Sequence, residues 1–273
     1  MISAKDAHDI AHSLKTAQDR VEQVEPPSSQ YPGLDARSAY AVSRLIHLAR
    51  IEEGAVAVGR KIGFTNRDLW PVFGVDEPVW GHVYDSTLVE LTDGTGKFSL
   101  RPFAEPRLEP ELVFHFRTAP AVGGSLEDIL ACVDWVAHAF EVVQSHYPGW
   151  KFRAADTIAD SALHGALLLG PRVPIAELGP AAMSAIESFS LDLSCNAQMR
   201  AKGRGSNVLG SPLAAIAHLS SVLANQPDGP ALQAGELVTT GTITSVQTVL
   251  PGETWSTQLQ GIALPGLSVE FTD

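Results

Sequence analysis

The chain has 273 residues, 45% of them hydrophobic and 18% charged, enough to bury a full core as one large domain or as a small domain beside a large one. Acid exceeds base, 31 Asp and Glu against 19 Lys and Arg, and no basic run interrupts the text, which argues against nucleic acid and anionic membrane as partners. Two cysteines, Cys132 and Cys195, and an N-terminus with Lys5, Asp6, His8 and Asp9 in place of an apolar leader point to a cytoplasmic chain without a disulfide framework.

In chain order, residues 3–24 set Ile10, Leu14, Ala17, Val21 and Val24 at three- and four-residue steps, the pattern of an amphipathic helix ended by Pro26-Pro27. Asp35 reads as the N-cap of a second helix running to about Glu53, with Ala39, Val42, Leu45, Ile46 and Ala49 as its stripe and Gly54 beyond its end. From Ala55 to Phe64 the period becomes that of a strand. Phe73 to Gly81 reads as a loop, His82 to Val89 as a strand, and Asp93-Gly94 as a turn.

The stretch Arg107 to Phe116 alternates, so Leu108, Leu112, Phe114 and Phe116 share one face while Glu109, Glu111 and His115 share the other. Two carboxylates two residues apart repel unless both meet water or both grip a cation. Pro110, lacking an N–H, predicts an edge or bulged strand, and a solvated acidic face is the plain alternative to a metal site.

Residues 125–140 predict a helix, with Ser125 as N-cap and an apolar face of Leu126, Ile129, Leu130, Val133, Val136, Ala137 and Phe140. It runs into Phe140-Glu141-Val142-Val143, a short apolar strand whose single acid is costly to bury unless something neutralises it. His164 to Gly170 reads as a buried strand and 186–199 as an alternating one. Residues 203–210 form a glycine loop behind Lys202, either an ordinary tight turn or a source of anion-binding N–H groups. A helix over 212–224 follows, and strands with turns at Asp228-Gly229, Pro251-Gly252 and Pro265-Gly266 close the chain. Helices first and strands after give an α+β chain: residues 1–80 as a helical portion with a first strand and loop, and 81–273 as a β-rich body.

Several segments, in this order, resemble the 2-keto-4-pentenoate hydratase and decarboxylase branch of the fumarylacetoacetate hydrolase superfamily. They are Lys61-Ile62-Gly63-Phe64-Thr65, Gly74 to Gly81, Glu109-Pro110-Glu111, Glu141 to Ser145 with Trp150-Lys151, and Asp156 to Asp160. The loop from Gly205 to Pro212, Gly241 to Thr244 and Pro251-Gly252-Glu253 extend the likeness. The resemblance implies a mixed β-roll with a small helical N-terminal portion, assembled as a homo-oligomer. It implies Mg²⁺ or Mn²⁺ on Glu109, Glu111 and Glu141, and three carboxylates are hard oxygen donors of the kind these ions take. The implied substrate is a small 2-hydroxy-2,4-dienoate or 2-oxo-enoate from aromatic catabolism, whose enolate a cation would stabilise.

By the same resemblance Lys61 is the active-site lysine, Asp156 and Asp160 orient water or neighbouring groups, and Gly63, Ser145, Lys151 and Thr244 contact substrate. Hydratases of this pattern read Pro-Asp-aromatic-Gly before the metal strand, whereas this chain has Pro78-Val79-Trp80-Gly81, leaving Asp76 as the acid that would stand in. Gln144, His146 and Ser161 also depart from the pattern. Hydration to a 4-hydroxy-2-oxo acid is the leading expectation, followed by decarboxylation of a 2-oxo-enedioate, C–C bond hydrolysis, and a metal-binding scaffold without turnover. His82, His146 and His164 lie in or beside these segments, and each is expected to be a hydrogen-bonded structural histidine, with general-base duty the alternative.

Overall fold

A computed structural model describes residues 1–273 apart from Gly74, Pro227 and Asp228 and the side chains of Leu69, Val72 and Phe73. Gly74 of the expected loop and Asp228 of the expected turn therefore fall outside the described residues.

Helix α1 (Ala4–Arg20) starts at a Ser3/Asp6 capping box and stops at Val21, whose φ of 57° is left-handed. It is shorter than its stripe predicts. Val24 lies beyond it and donates its N–H to His146 O at 2.8 Å. After α2 (Pro27–Gln30), α3 (Ala36–Glu52) is capped as expected, with Asp35 Oδ1 accepting from Ser38 N at 2.8 Å. The apolar faces of α1 and α3 pack together over Ile10, Leu14, Val42 and Ile46, and against Tyr147, Ile158, Ala159 and Leu163 from later in the chain.

The strands are β1 (Ala57–Gly63), β2 (Val79–Tyr84), β3 (Leu88–Glu90), β4 (Thr95–Ser99), β5 (Arg107–Phe116), β6 (Val133–Val143), β7 (His164–Leu169), β8 (Val173–Pro174), β9 (Ser190–Cys195), β10 (Gln198–Arg204), β11 (Leu237–Thr239), β12 (Gln247–Thr248), β13 (Thr254–Gln260) and β14 (Ser268–Thr272). Between them run α4 (Trp70–Phe73), α5 (Leu126–Cys132), α6 (Ala154–Ala159), α7 (Ala182–Ser188) and α8 (Pro212–Asn225). One sheet has the order β2-β1-β11-β5-β6-β7-β3, with β12 also on β5 and β8 on β6. The second has the order β10-β9-β13-β14-β4. Both contribute to the main core, where Leu108, Leu112, Phe114 and Phe140 of the first meet Leu191, Leu193, Trp255 and Phe271 of the second. Residues 205–225 are long and apolar enough to cross a membrane, yet Leu213, Ile216, Leu219 and Leu223 of α8 lie in this core.

Five expectations need correction. The helix expected over 125–140 ends at Cys132, and residues 133–143 form β6, which pairs with β5 from Arg107↔Val143 to Phe116↔Val133. Both faces of β6 are buried, so its apolar residues also satisfy helical spacing, and periodicity cannot separate the two. The alternating stretch at 186–199 is split between α7, β9 and β10, and the 73–81 loop already contains the start of β2. Gly203 and Gly205 serve close packing, since a Cβ there would meet Ile243 O at 2.2 Å and Ile186 O at 2.1 Å. Strand β5 is central rather than an edge: β11 pairs with 113–115 and β12 with 107–108, and Pro110 falls in the gap between these two short neighbours.

Candidate metal centre and active site

Alternation along β5 puts Glu109, Glu111 and Val113 on one face, opposite the main core. Strand register carries that face across the sheet, with Glu109 opposite Glu141, Val113 opposite Thr239, Thr239 opposite Lys61, and Gly63 opposite Val79. Further along, the same face is apolar: Val83, Val113, Ala137, Ala139, Leu167, Leu169 and Leu237 form a buried cluster. The polar end therefore stands on a dry floor. That floor raises the cost of every unpaired charge above it.

Among the described residues, one set of acids, histidines or cysteines is grouped closely enough to hold a metal ion. It is Glu109, Glu111 and Glu141, with one ligand atom from each lying within 4.8 Å of the others. The two fully buried members are held alike. Glu111 Oε2 accepts from the Thr239 hydroxyl and from Gly241 N at 2.8 Å, whereas its Oε1 is buried without a hydrogen-bond partner. Glu141 Oε1 meets His164 Nδ1 at 2.8 Å, and its Oε2, also without a hydrogen bond, lies 3.1 Å from Lys61 Nζ. Each carboxylate thus has one oxygen fixed by hydrogen bonds and one without any, that of Glu111 lacking a partner and that of Glu141 facing Lys61, the arrangement a hard cation would complete.

Lys61 is 2% exposed and donates from Nζ to Ala162 O at 3.0 Å. That carbonyl belongs to a turn in which Ser161, Ala162 and Leu163 all have positive φ, 53°, 55° and 61°, at about 1–2 kcal/mol for each non-glycine residue. Gly241 also takes a positive φ, 95°, and a Cβ there would overlap the Thr65 hydroxyl, so only glycine brings this N–H to Glu111.

The charges are mutually tuned. Burial, together with the charge of Glu141, pushes Glu109 up to about 7 against the pull of Lys61 and Arg107. Burial and the two neighbouring carboxylates hold Glu111 well above the usual range. Burial acts on Glu141 in the same direction, but Lys61 and His164 outweigh it and hold this carboxyl below its ordinary value. Burial would likewise lower Lys61, and the three glutamates overcome it and raise the ammonium. An acid kept ionised beside a lysine kept protonated, with two more acids looking for a countercharge, is an electrostatic socket for a cation.

Of the residues singled out in the sequence, Lys61, Gly63, Glu109, Glu111 and Glu141 come together. A Cβ on Gly63 would stand 3.4 Å from Lys61 Nζ and 3.9 Å from Val79 Cγ2. Asp156 and Asp160 are buried as anchors. Asp156 accepts from Ser28 N and Ser28 Oγ, both at 2.7 Å, and caps α6 through Arg153 N, while Asp160 accepts from Gln18 Nε2 at 2.8 Å and pairs with His146 Nδ1 at 2.9 Å. Ser145 Oγ donates to Tyr147 O and Thr244 Oγ1 to Ser245 O. Asp76 and Lys151 are exposed. His82 stacks on His47 with ring centroids 3.7 Å apart, and burial pushes it down to about 2. The sequence reading gave no part to Thr239, Thr87 or the Ala162 carbonyl, and it placed Gly241 and His164 in or beside the family segments without the contacts they make; all of these touch the centre through backbone placement or through a second side chain.

Residues 87–265 match the family model described as fumarylacetoacetate (FAA) hydrolase C-terminal. The chain belongs to the fumarylacetoacetate hydrolase family. Within it, the chain is 29% identical over 252 residues to a 2-hydroxyhexa-2,4-dienoate hydratase of Comamonas testosteroni, covering 91% of this chain and 90% of that protein. It is 31% identical over 246 residues to a 4-oxalocrotonate decarboxylase of a Pseudomonas species, covering 85% and 88%. The solved structure of 4-oxalocrotonate decarboxylase from Pseudomonas putida G7, complexed with magnesium and adipate, superposes with a TM-score of 0.89 at 25% identity over 99% of both chains. Fumarylpyruvate hydrolase from Pseudomonas aeruginosa, in complex with Mn²⁺ and pyruvate, shares the fold at a TM-score of 0.59 and 18% identity, over 78% of this chain and 88% of that one. The α+β family fold expected from the sequence, with its small helical N-terminal part, is the one observed.

Proposed function

We propose that this chain is a divalent-metal-dependent lyase acting on 2-hydroxy-2,4-dienoates or 2-oxo-enoates of aromatic catabolism. The observation that carries the reading is the convergence of Glu109, Glu111 and Glu141 within 4.8 Å, with Lys61 Nζ 3.1 Å from Glu141. These three glutamates would hold Mg²⁺ or Mn²⁺, in keeping with the magnesium and manganese carried by the two solved relatives. When bound, the cation supplies Lewis acidity that lets negative charge build on the 2-oxo oxygen of an α-keto acid. Lys61, a protonated amine fixed by Ala162 O, is the group that neutralises the enolate or carboxylate and moves a proton to or from the substrate. The missing side chain at Gly63 leaves room beside this buried ammonium, and buried Val79 gives that side an apolar wall. Asp156 and Asp160 support this arrangement by fixing the segment that leads into the 161–163 turn.

Hydration to a 4-hydroxy-2-oxo acid is the first reading, supported by the hydratases among the relatives. Decarboxylation of a 2-oxo-enedioate is the second, and Val79 favours it, being 1% exposed and opposite Gly63 where the hydratase pattern carries an acid. The reading includes a homo-oligomer in the cytoplasm. Purified protein with Mg²⁺ is given 2-hydroxypenta-2,4-dienoate and, separately, 4-oxalocrotonate, while dienol absorbance and CO₂ release are followed. A hydrated product without CO₂ selects hydration, and CO₂ without a hydrated product selects decarboxylation. Inertness toward both substrates and a panel of 2-oxo acids, with metal bound, overturns the lyase reading.

A further inference from the structure

Glu111 is oriented by Thr239 and by a backbone N–H, and the structure raises the question of what does the same for Glu141. The imidazole of His164 meets Glu141 Oε1 through Nδ1 at 2.8 Å and Thr87 Oγ1 through Nε2 at 2.9 Å. A carboxylate only accepts, so the Nδ1 proton points at Glu141. Thr87 is itself placed by Tyr84, accepting from its N–H at 3.2 Å with the Tyr84 carbonyl oxygen 3.1 Å from the same hydroxyl, whose one proton is shared between that oxygen and Nε2. The ring is therefore held at both nitrogens, and its side chain is 4% exposed.

The backbone is shaped to bring this ring to that face. In regular alternation Leu167, which pairs with Glu141, would share its face with Gly165, and His164 would point to the other side. The register instead slips between Val142 and Val143, so that Ala166 faces Val142 while His164 faces Val143. Gly165 is the extra residue of this β-bulge. A Cβ on it would meet Val142 O at 2.5 Å, so the bulge depends on glycine. Bulges of this kind re-aim a side chain beside an active site.

We propose that His164 is a positioning residue of the metal centre: it pins Oε1 of Glu141 and so presents Oε2 to the cation. The proposal rests on Glu109, Glu111 and Glu141 being the ligand set. His164 lines a cavity of about 410 Å³ together with Thr87, Gln144, Ser161 and Gly165, so truncating the ring opens space rather than forcing a repacking. With the hydrogen bond gone, Glu141 loses its fixed rotamer, and loss of an outer partner of this kind weakens metal binding by about 10–100-fold.

The test uses full-length protein freed of metal, with Mn²⁺ as the probe, its affinity read by calorimetry and by the electron paramagnetic resonance signal of the free ion. His164→Leu and His164→Ala, both without a donor, are compared with His164→Asn, whose side-chain amide can donate from near the Nδ1 position. The expected result is Mn²⁺ affinity reduced by about 10–100-fold in the two donor-free variants and restored to within about threefold of wild type in His164→Asn, with near-ultraviolet circular dichroism unchanged. Equal Mn²⁺ affinity in wild type and in either folded donor-free variant would overturn the proposal. Absence of Mn²⁺ binding in the wild type would instead remove the ligand set on which it rests. His164→Ala leaves space where His164→Leu crowds it, so the comparison stands if the leucine variant fails to fold.

Discussion

Replacing Glu111 by Gln should reverse sign with metal. The ligand atoms of the three carboxylates lie within 4.8 Å of one another, so each ionised pair repels by about 3.5 kcal/mol at an effective dielectric constant of about 20. Neutralising Glu111 removes two such pairs, about 7 kcal/mol, less the attraction of Lys61 that is lost with them. A carboxyl can also escape repulsion by taking up a proton, which at about pH 8 costs about 5 kcal/mol, and this bounds the strain that can be present. Metal-free Glu111→Gln should therefore be more stable than metal-free wild type by about 2–4 kcal/mol. Over 273 residues this corresponds to a rise in Tm of about 4–7 °C. The amide keeps an oxygen for Gly241 N, so the fold around it has no reason to change. With Mg²⁺ at about a hundred times its Kd, wild type gains about 2.7 kcal/mol and the variant, short of one ligand, gains far less. The assay is differential scanning fluorimetry with chelator and with Mg²⁺. A metal-free variant that melts at or below wild type, together with equal Mg²⁺ stabilisation of both, would refute the reasoning.

Other outcomes follow from the same geometry. Lys61→Gln should lower kcat by about 10²–10⁴-fold while Mn²⁺ binding, measured by calorimetry, persists. Gly63→Ala places a methyl group 3.4 Å from Lys61 Nζ and should lower kcat/KM by about tenfold or more at unchanged Tm. His138 is 1% exposed, its Nδ1–H donates to Glu111 O at 2.9 Å, and burial pushes it down to about 4 from 6.5. The unfolded chain takes up that proton first, so the contribution to stability is whole above about pH 6.5 and is lost as pH falls toward about 4, by about 3 kcal/mol. Urea melts stepped through this range should show the slope, and His138→Gln should flatten it.

The Glu109/Glu111 pair was legible because alternation is local: two acids two residues apart on a strand need nothing from the rest of the chain to share a face. Glu141 stood out as a lone acid in an apolar run, but its place beside that pair was legible only through the family likeness. Its meeting with Glu109 depends on the β5–β6 register, and residues 133–140 satisfied helical spacing as well as a strand buried on both faces. Asp156 and Asp160 illustrate a different obstacle. An acid in a family segment reads equally as chemistry or as an anchor, and here Ser28, Gln18 and His146 occupy their oxygens. Asp76 is exposed, and no hydrogen bond or ion pair among the described residues joins it to the glutamates. The bulge at Gly165 is invisible to a period-two reading, which sends His164 to the wrong side.

The left-handed turn at 161–163 has a practical corollary for anyone re-engineering this enzyme. Its strained backbone is braced on one flank by Gln18 and His146 gripping Asp160, and on the other by the lysine that leans on Ala162. Trimming the amino-terminal helices to obtain a minimal catalytic body would loosen that brace and let the lysine drift. Chimeras between homologues should therefore inherit Gln18 and Ser28 from the same parent as the stretch 156–164.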